Sequence, residues 1–305
     1  MLKYTIRRSL WIILVLLAVA FITFSLMHLV PGGPWDREKA LAPQIVENLN
    51  RKYGLDKSFF EQFGNYLWGI LHGDLGISYI YQDRGVTDII LQGLPKTATL
   101  GVVAFLLAIL IGIPLGMLAA LRQNSIIDYF AVFFSTLFAS IPGFVLGILL
   151  VLLFSVTLHW LPTYGWGSVE QLIMPAFALA ALPAAYFARI TRASMLDVLR
   201  QDYIRTARAK GLTERVILVR HTLRNALVPV ITIAGPELAF LISGSFIIEN
   251  LFSIPGIGRL FVQGVFNRDY GLIMGSILFY AFAIAIVNLA VDLLYGVIDP
   301  RIRYE

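Results

Sequence analysis

The feature that most limits how this chain can fold is a series of long stretches without a charged side chain. Leu10–Met27 runs uncharged after a basic start with Lys3, Arg7 and Arg8. Thr97–Leu121, Tyr129–Leu158, Gln171–Ala188 and Tyr270–Val291 are likewise uncharged, and Asn225–Ile248 is interrupted once, by Glu237. As helices rising about 1.5 Å per residue, such windows match a hydrocarbon core about 30 Å thick. Backbone amides have no water to pair with in lipid, so windows of this kind must be helical. The chain is 58% hydrophobic and only 14% charged, and a soluble domain of that composition would expose large apolar patches. The expected fold class is an all-α polytopic membrane protein with six transmembrane helices.

The first window competes with a cleaved signal peptide. It is longer than a usual signal core, and the following PGGPW (Pro31–Trp35) lacks a small-x-small cleavage site. It reads as a retained span. Basic residues then set the orientation. With the N-terminus inside, fifteen of the 24 lysines and arginines are cytoplasmic, nine of them between Arg189 and Arg224. The short outer loop His159–Glu170 has none, and it carries Trp160, Tyr164 and Trp166, aromatics suited to a membrane interface. Both termini are expected to be cytoplasmic.

Two polar segments remain. Residues 31–96, with seven basic and eight acidic side chains, form a nearly neutral outer segment. Ile45, Leu49 and Tyr53 are spaced for a helix stopped by Gly54, and Ser58 with Glu61 forms a capping-box pattern ahead of Phe63, Leu67, Ile70 and Leu71, a helix stopping near Gly73. This is a small helical subdomain. The other segment, Asp197–Pro229, carries seven basic residues against three acids between two spans. Its apolar residues recur at helical spacing on both sides of Gly211, a residue suited to the left-handed position after a helix. Arg208 and Lys210 precede it, where cations favour a helix carboxyl end, and Thr213 is placed to cap the next helix. Two short amphipathic helices joined by a glycine turn are expected. Composition alone fits equally a basic helix resting on anionic lipid.

The chain has no cysteine and four scattered histidines, so neither thiolate nor histidine-cluster metal sites arise. No GxxxxGK[ST], GxSxG, HExxH or GxGxxG pattern occurs. Nothing supports an enzyme, a cofactor or a nucleic-acid site. A helix pair anchored at both ends to membrane spans can instead act as a lever for a soluble motor.

These residues also resemble a known family, the permease subunits of type I ATP-binding-cassette importers. Their cytoplasmic signature reads EAAxxxG followed by IxLP. Ala207 and Gly211 match it, Arg205 and Thr206 replace the leading Glu-Ala, and Leu223 fits while His221 and Arg224 replace Ile and Pro. Those departures resemble the peptide/nickel branch, which reads DYIRTARAKGL and RHALRNALxPV. Similarity to that branch extends over PGGP, HGDLGIS (His72–Ser78), SIPGF (Ser140–Phe144), LHWLP (Leu158–Pro162), SIPGIGRLF (Ser253–Phe261), NRDY (Asn267–Tyr270) and VDLLYGVIDPRIRY (Val291–Tyr304). The long outer segment resembles the first-subunit, B-type member, and the short loop after the third span resembles oligopeptide permeases.

The resemblance implies a bacterial inner-membrane permease that forms a heterodimer with a second, homologous permease subunit. Two cytoplasmic ATPase subunits would bind the ATP, and an extracytoplasmic binding protein would deliver peptide. It implies a cytoplasmic coupling helix near 197–224, with Arg205, Thr206, Ala207, Lys210, Gly211 and Leu212 as the ATPase-coupling residues. The domain plan is then 1–30 as the N-terminus and first span, 31–96 outside, 97–298 as a five-helix core, and 299–305 as a cytoplasmic tail. The landing surface for the binding protein is expected on 31–96 with Leu251–Gly271. Alternatives in cargo are a dipeptide, nickel or another small solute. An alternative in class is a secondary transporter or channel, though such proteins usually pair intramembrane acids or show inverted repeats.

Glu237 stands apart, because burial alone singles it out. It lies twelve residues beyond Asn225, about 18 Å along a helix and near mid-membrane, where a carboxylate must face protein or a water-filled cavity. Pro229 and Pro236 flank it, and Pro236 removes an amide just before the acid. Glu237 either lines the translocation path and attracts the positive end of a peptide, or pairs within a packed interface.

Overall fold

The apolar windows are almost wholly helical in the computed structural model, which describes residues 2–35, 42–81 and 84–298; the breaks are at 141–142 and 244–245. The tail at 299–305 and residues 36–41 of the outer segment lie outside the described residues. Among the described residues, five helices have the length and composition of membrane spans: α1 (Leu2–Leu29), α4 (Val86–Leu121), α7 (Val169–Leu199), the run Glu214–Leu251, and α13 (Tyr270–Ile298). The window Tyr129–Leu158 becomes two helices. α5 (Ile126–Ser140) meets α6 (Gly143–Leu150) and its π-helical extension Val151–Thr157 at 103°. The break is at Ile141, which is extended, and Pro142, which cannot donate a helical bond. Counted as one bent span, this pair brings the total to six.

α4 begins at Val86, eleven residues before the start of the expected window. Lys96 does not end it, because its Nζ turns back to donate to the Gln92 carbonyl, at 3.0 Å, as long cationic side chains do near a membrane boundary. The outer segment therefore gives up its last eleven residues to a span.

The chain divides into two compact units, residues 1–97 with 255–305, and residues 98–254. By contacts within the chain, α13 groups with the N-terminal unit.

In the first unit α1 packs along α13, α3 (Phe59–Leu71) packs against both, and α2 (Pro43–Tyr53) precedes α3. α2 closes as expected on Gly54, at φ 67°, with Gly54 and Leu55 amides donating to the Arg51 and Asn50 carbonyls. The capping box expected at Ser58 does not form. Glu61 pairs instead with Lys57 at 3.0 Å. Gln62 reaches back to the Lys57 and Leu55 carbonyls, so the entry to α3 is held by a different side chain.

In the second unit α7 is the hub, with α5, α6 and α10 (Arg224–Ser243) against it. Its inner face is alanine and proline: Ala176, Ala180, Ala184, Ala188, Pro175 and Pro183 are all buried. Small faces allow close backbones, the basis of helix association in lipid. Gly112 and Gly116 of α4 complete this contact, since a Cβ at either would overlap the carbonyl oxygens of Ala184 and Ala188. Gly101 lies equally close to the backbone of Leu241 in α10.

Candidate functional site

The charged segment between α7 and α10 contains one free-standing helix rather than two. Asp197–Leu199 still belong to α7, and α8 runs Asp202–Ala209. Beyond the turn, α9 (Glu214–Val216) passes through the π-helical stretch Ile217–Leu223 straight into α10. The expected second short helix is therefore the first part of a span. Its apolar periodicity carries on without interruption, and Thr213 takes the N-cap position without bonding through its hydroxyl.

Gly211 is left-handed, at φ 74°, as its position after basic residues predicted. Its amide donates to the Arg208 carbonyl at 2.9 Å and the Leu212 amide to the Ala207 carbonyl at 3.3 Å. These are the two bonds of a Schellman ending, which satisfies carbonyls that the helix leaves open. Arg208 then clamps the turn through two bonds to Glu214, at 2.7 and 3.2 Å. Below the turn, Ile204, Ala207 and Ile217 form a buried cluster. Asn225 Nδ2 donates to Tyr203 Oη at 2.9 Å, tying α8 to the first turn of α10.

Of the residues expected to couple, Arg205, Thr206, Lys210, Gly211 and Leu212 are exposed. Ala207 is not. It is 6% exposed and faces Ile204 and Ile217, so its small size serves the packing of α8 on the following helix. Sequence reading placed Tyr203 and Val216 among the apolar repeats but not among the coupling residues; both are exposed, as is Val219. With Leu212 they place apolar surface beside the basic rim, the makeup of a protein-docking surface. The Arg205–Asp202 pair, at 3.7 Å and largely in solvent, contributes little.

A second feature went unseen in the sequence because its partners are 64 residues apart. Asp128, 2% exposed, accepts two bonds from Arg192 of α7, at 2.6 and 2.8 Å, and one from the Asn124 amide at 3.0 Å. The pair fastens the first turn of α5 to α7.

Glu237 is partly buried on α10, and it makes no hydrogen bond or ion pair to the described residues. The helix runs unbroken through Pro229 and Pro236 and ends at Gly244, at φ 101°.

In the first unit Asp269 is fully buried. It accepts from Ser78 Oγ and from the Tyr79 and Ile80 amides, and it caps α13 through the Leu272 amide at 3.1 Å. Burial, and then the charge of Asp269, pushes the Tyr79 phenol up, so it stays protonated. Trp35 is also buried, its ring tilted at 41° against both Tyr53 and Tyr79 and its indole donating to Asn50 Oδ1 at 2.8 Å. A cavity of about 490 Å³ opens beside these rings, with His28, Arg51, Lys52 and Tyr66 among its walls.

Helices of membrane length, with one short basic helix between two of them, define a multi-pass membrane protein. The chain belongs to the family of binding-protein-dependent transport system inner membrane components, whose model matches residues 112–304, with the family's N-terminal model matching 1–101. It is 44% identical over 306 residues to the oligopeptide transport system permease protein OppB of Salmonella typhimurium, covering 100% of both chains. To the dipeptide transport system permease protein DppB of Bacillus subtilis it is 42% identical, over 99% of this chain and 98% of that one. Among solved structures, the inward-facing MetNI methionine ABC transporter aligns with a TM-score of 0.58 at 20% identity, over 69% of this chain and 96% of that chain. That likeness establishes the type I importer permease fold. The protein is a multi-pass component of the inner membrane.

Proposed function

We propose that this chain is the B-type permease subunit of an ATP-driven peptide importer. The observation that carries the reading is 44% identity to an oligopeptide permease along the whole length of both chains. The dipeptide relative at 42% keeps a shorter cargo as the second reading. No motif for nucleotide binding or hydrolysis is present in the sequence, so ATP belongs to two partner subunits on the cytoplasmic side. A second, homologous permease completes the pathway, and an extracytoplasmic binding protein delivers cargo.

α8 is the coupling helix in this reading. Arg205, Thr206, Lys210, Gly211 and Leu212 would meet the ATPase, with Tyr203 as the apolar contact. A groove with acidic edges would accept an apolar strip rimmed by cations. α8 is stapled to α10 through Tyr203–Asn225 and to α9, which runs on into α10, through Arg208–Glu214, so a push on α8 is delivered to the helix carrying Glu237. Glu237 would line the path and attract the amino terminus of the peptide. The part of the expected landing surface that lies in the first unit, the outer segment with residues 255–271 of the expected 251–271, would receive the binding protein.

Because the chain has no cysteine, Leu212→Cys gives a single cross-linking site. The reading requires capture of an ATPase subunit in the assembled complex, and stimulation of ATP hydrolysis by peptide-loaded binding protein. Hydrolysis indifferent to the binding protein would contradict it.

A further inference from the structure

α3 is amphipathic in three sectors rather than two. At about 100° per residue, Phe59, Phe63, Tyr66, Leu67 and Ile70 make one sector, packed against α1 and α13. Glu61, Gln62 and Asn65 make a polar sector. The third, Phe60, Trp68 and Leu71 with Gly64 between them, is apolar yet open, the three large side chains being 78%, 67% and 78% exposed. A helix of thirteen residues is about 20 Å long and cannot cross a bilayer.

The place of α3 on α1 says what covers this sector. The Phe59 ring meets Phe21, Phe24 and His28, with centroids 6.2, 5.0 and 5.3 Å away, and Phe63 meets Phe21 and Phe24 at 5.5 and 5.3 Å. Counting from Arg8, the last charge before the apolar run, the roughly 20 residues that fill a hydrocarbon core end at His28. Phe24 and Phe21 then lie about 6 and 10 Å inside that boundary. Interfacial helices bury their apolar faces to about this depth, 5–10 Å. Phe21 is itself 46% exposed on a membrane span, so the lipid that reaches it also reaches the side of α3. Trp68 suits the same level, where indole rings concentrate.

We propose that α3 is a monotopic interfacial helix. Phe60, Trp68 and Leu71 are seated in the leaflet at which α1 ends, and Glu61 and Asn65 face water. The occupant of the exposed sector is phospholipid, not a protein partner. The inference rests on the membrane placement of α1 alone and is independent of the cargo.

The test uses single cysteines at Phe60, Trp68, Leu71 and Asn65 in the otherwise cysteine-free chain. Each is labelled with a nitroxide in the complete complex, in nanodiscs of phosphatidylethanolamine and phosphatidylglycerol. Labels at the three apolar positions should collide readily with oxygen and poorly with a water-soluble nickel chelate, the label at Asn65 should do the reverse, and added binding protein should leave both patterns unchanged. Ready collision with nickel at all four positions would overturn the proposal. So would shielding of the three apolar positions from both reagents, which would mean a protein covers them. As a second readout, lipids brominated along the acyl chain should quench wild-type tryptophan fluorescence more than that of Trp68→Phe; equal quenching would also count against it.

Discussion

Replacing Gly211 with valine tests the coupling turn through backbone geometry alone. No atom lies within 4 Å of the Cβ that a side chain would add, and the backbone is left-handed at φ 74°. The cost is therefore conformational, not steric contact with neighbours. A β-branched residue in this region costs about 1–3 kcal/mol, a factor of about 5–150 in the population of the native turn. When the turn opens, the Ala207 and Arg208 carbonyls lose their partners, and Arg208 and Glu214 no longer face each other. Coupling should fall in the order Gly, Asn, Ala, Val, since asparagine tolerates this conformation best after glycine. Gly54 supplies the control, because it ends α2 with the same two bonds at φ 67° but lies in the other unit. The assay is peptide-stimulated ATP hydrolysis in proteoliposomes, together with retention of the ATPase subunits on purification. Gly211→Val should lose both while still inserting in the membrane, and Gly54→Val should retain the ATPase subunits. Wild-type stimulation in Gly211→Val would refute the reasoning.

Four further outcomes are expected. Arg192→Leu strands a buried carboxylate and should destabilise the chain by about 3 kcal/mol, read as a lower unfolding temperature in detergent; the double variant with Asp128→Leu should recover part of the loss. Leucine at Gly112 or Gly116 should cost about 1–3 kcal/mol by overpacking α4 on α7, whereas Gly64→Ala, with open space around it, should be neutral or slightly stabilising in the same melt. Asp269→Asn weakens the charge-assisted bonds that hold residues 78–80, at about 1–3 kcal/mol, and limited proteolysis should cut that turn faster. Glu237→Gln should reduce uptake of peptides with a free amino terminus and spare acetylated ones; equal effects on both would show that the charge does not read the peptide.

The spans were legible in the sequence because a missing charge over about 20 residues has one physical solution in lipid, and the Gly54 and Gly211 turns because left-handed backbone has few acceptable residues. The boundaries were less legible. Lys96 marked the end of an uncharged window, but a helix tolerates a lysine that folds back on it, so α4 starts earlier. The second short helix after Gly211 was an error of the same kind, since apolar spacing cannot tell a free helix from the first turns of a span. Ala207 matched the family pattern without being at the surface, because a small residue can serve packing as well as contact. The Asp128–Arg192 pair, the closeness of Gly112 and Gly116 to α7 and the open face of α3 depend on tertiary placement, and local pattern carries no trace of them.

The claim that the pathway is driven from outside this chain is tested most directly by radiolabelled peptide uptake into proteoliposomes of defined composition. Both permeases, the ATPase subunits and the binding protein are reconstituted with ATP inside or absent, and with or without an imposed ion gradient. Uptake should require internal ATP and the ATPase subunits and ignore the gradient. Sustained uptake on the gradient alone, with the ATPase subunits left out, would contradict the account.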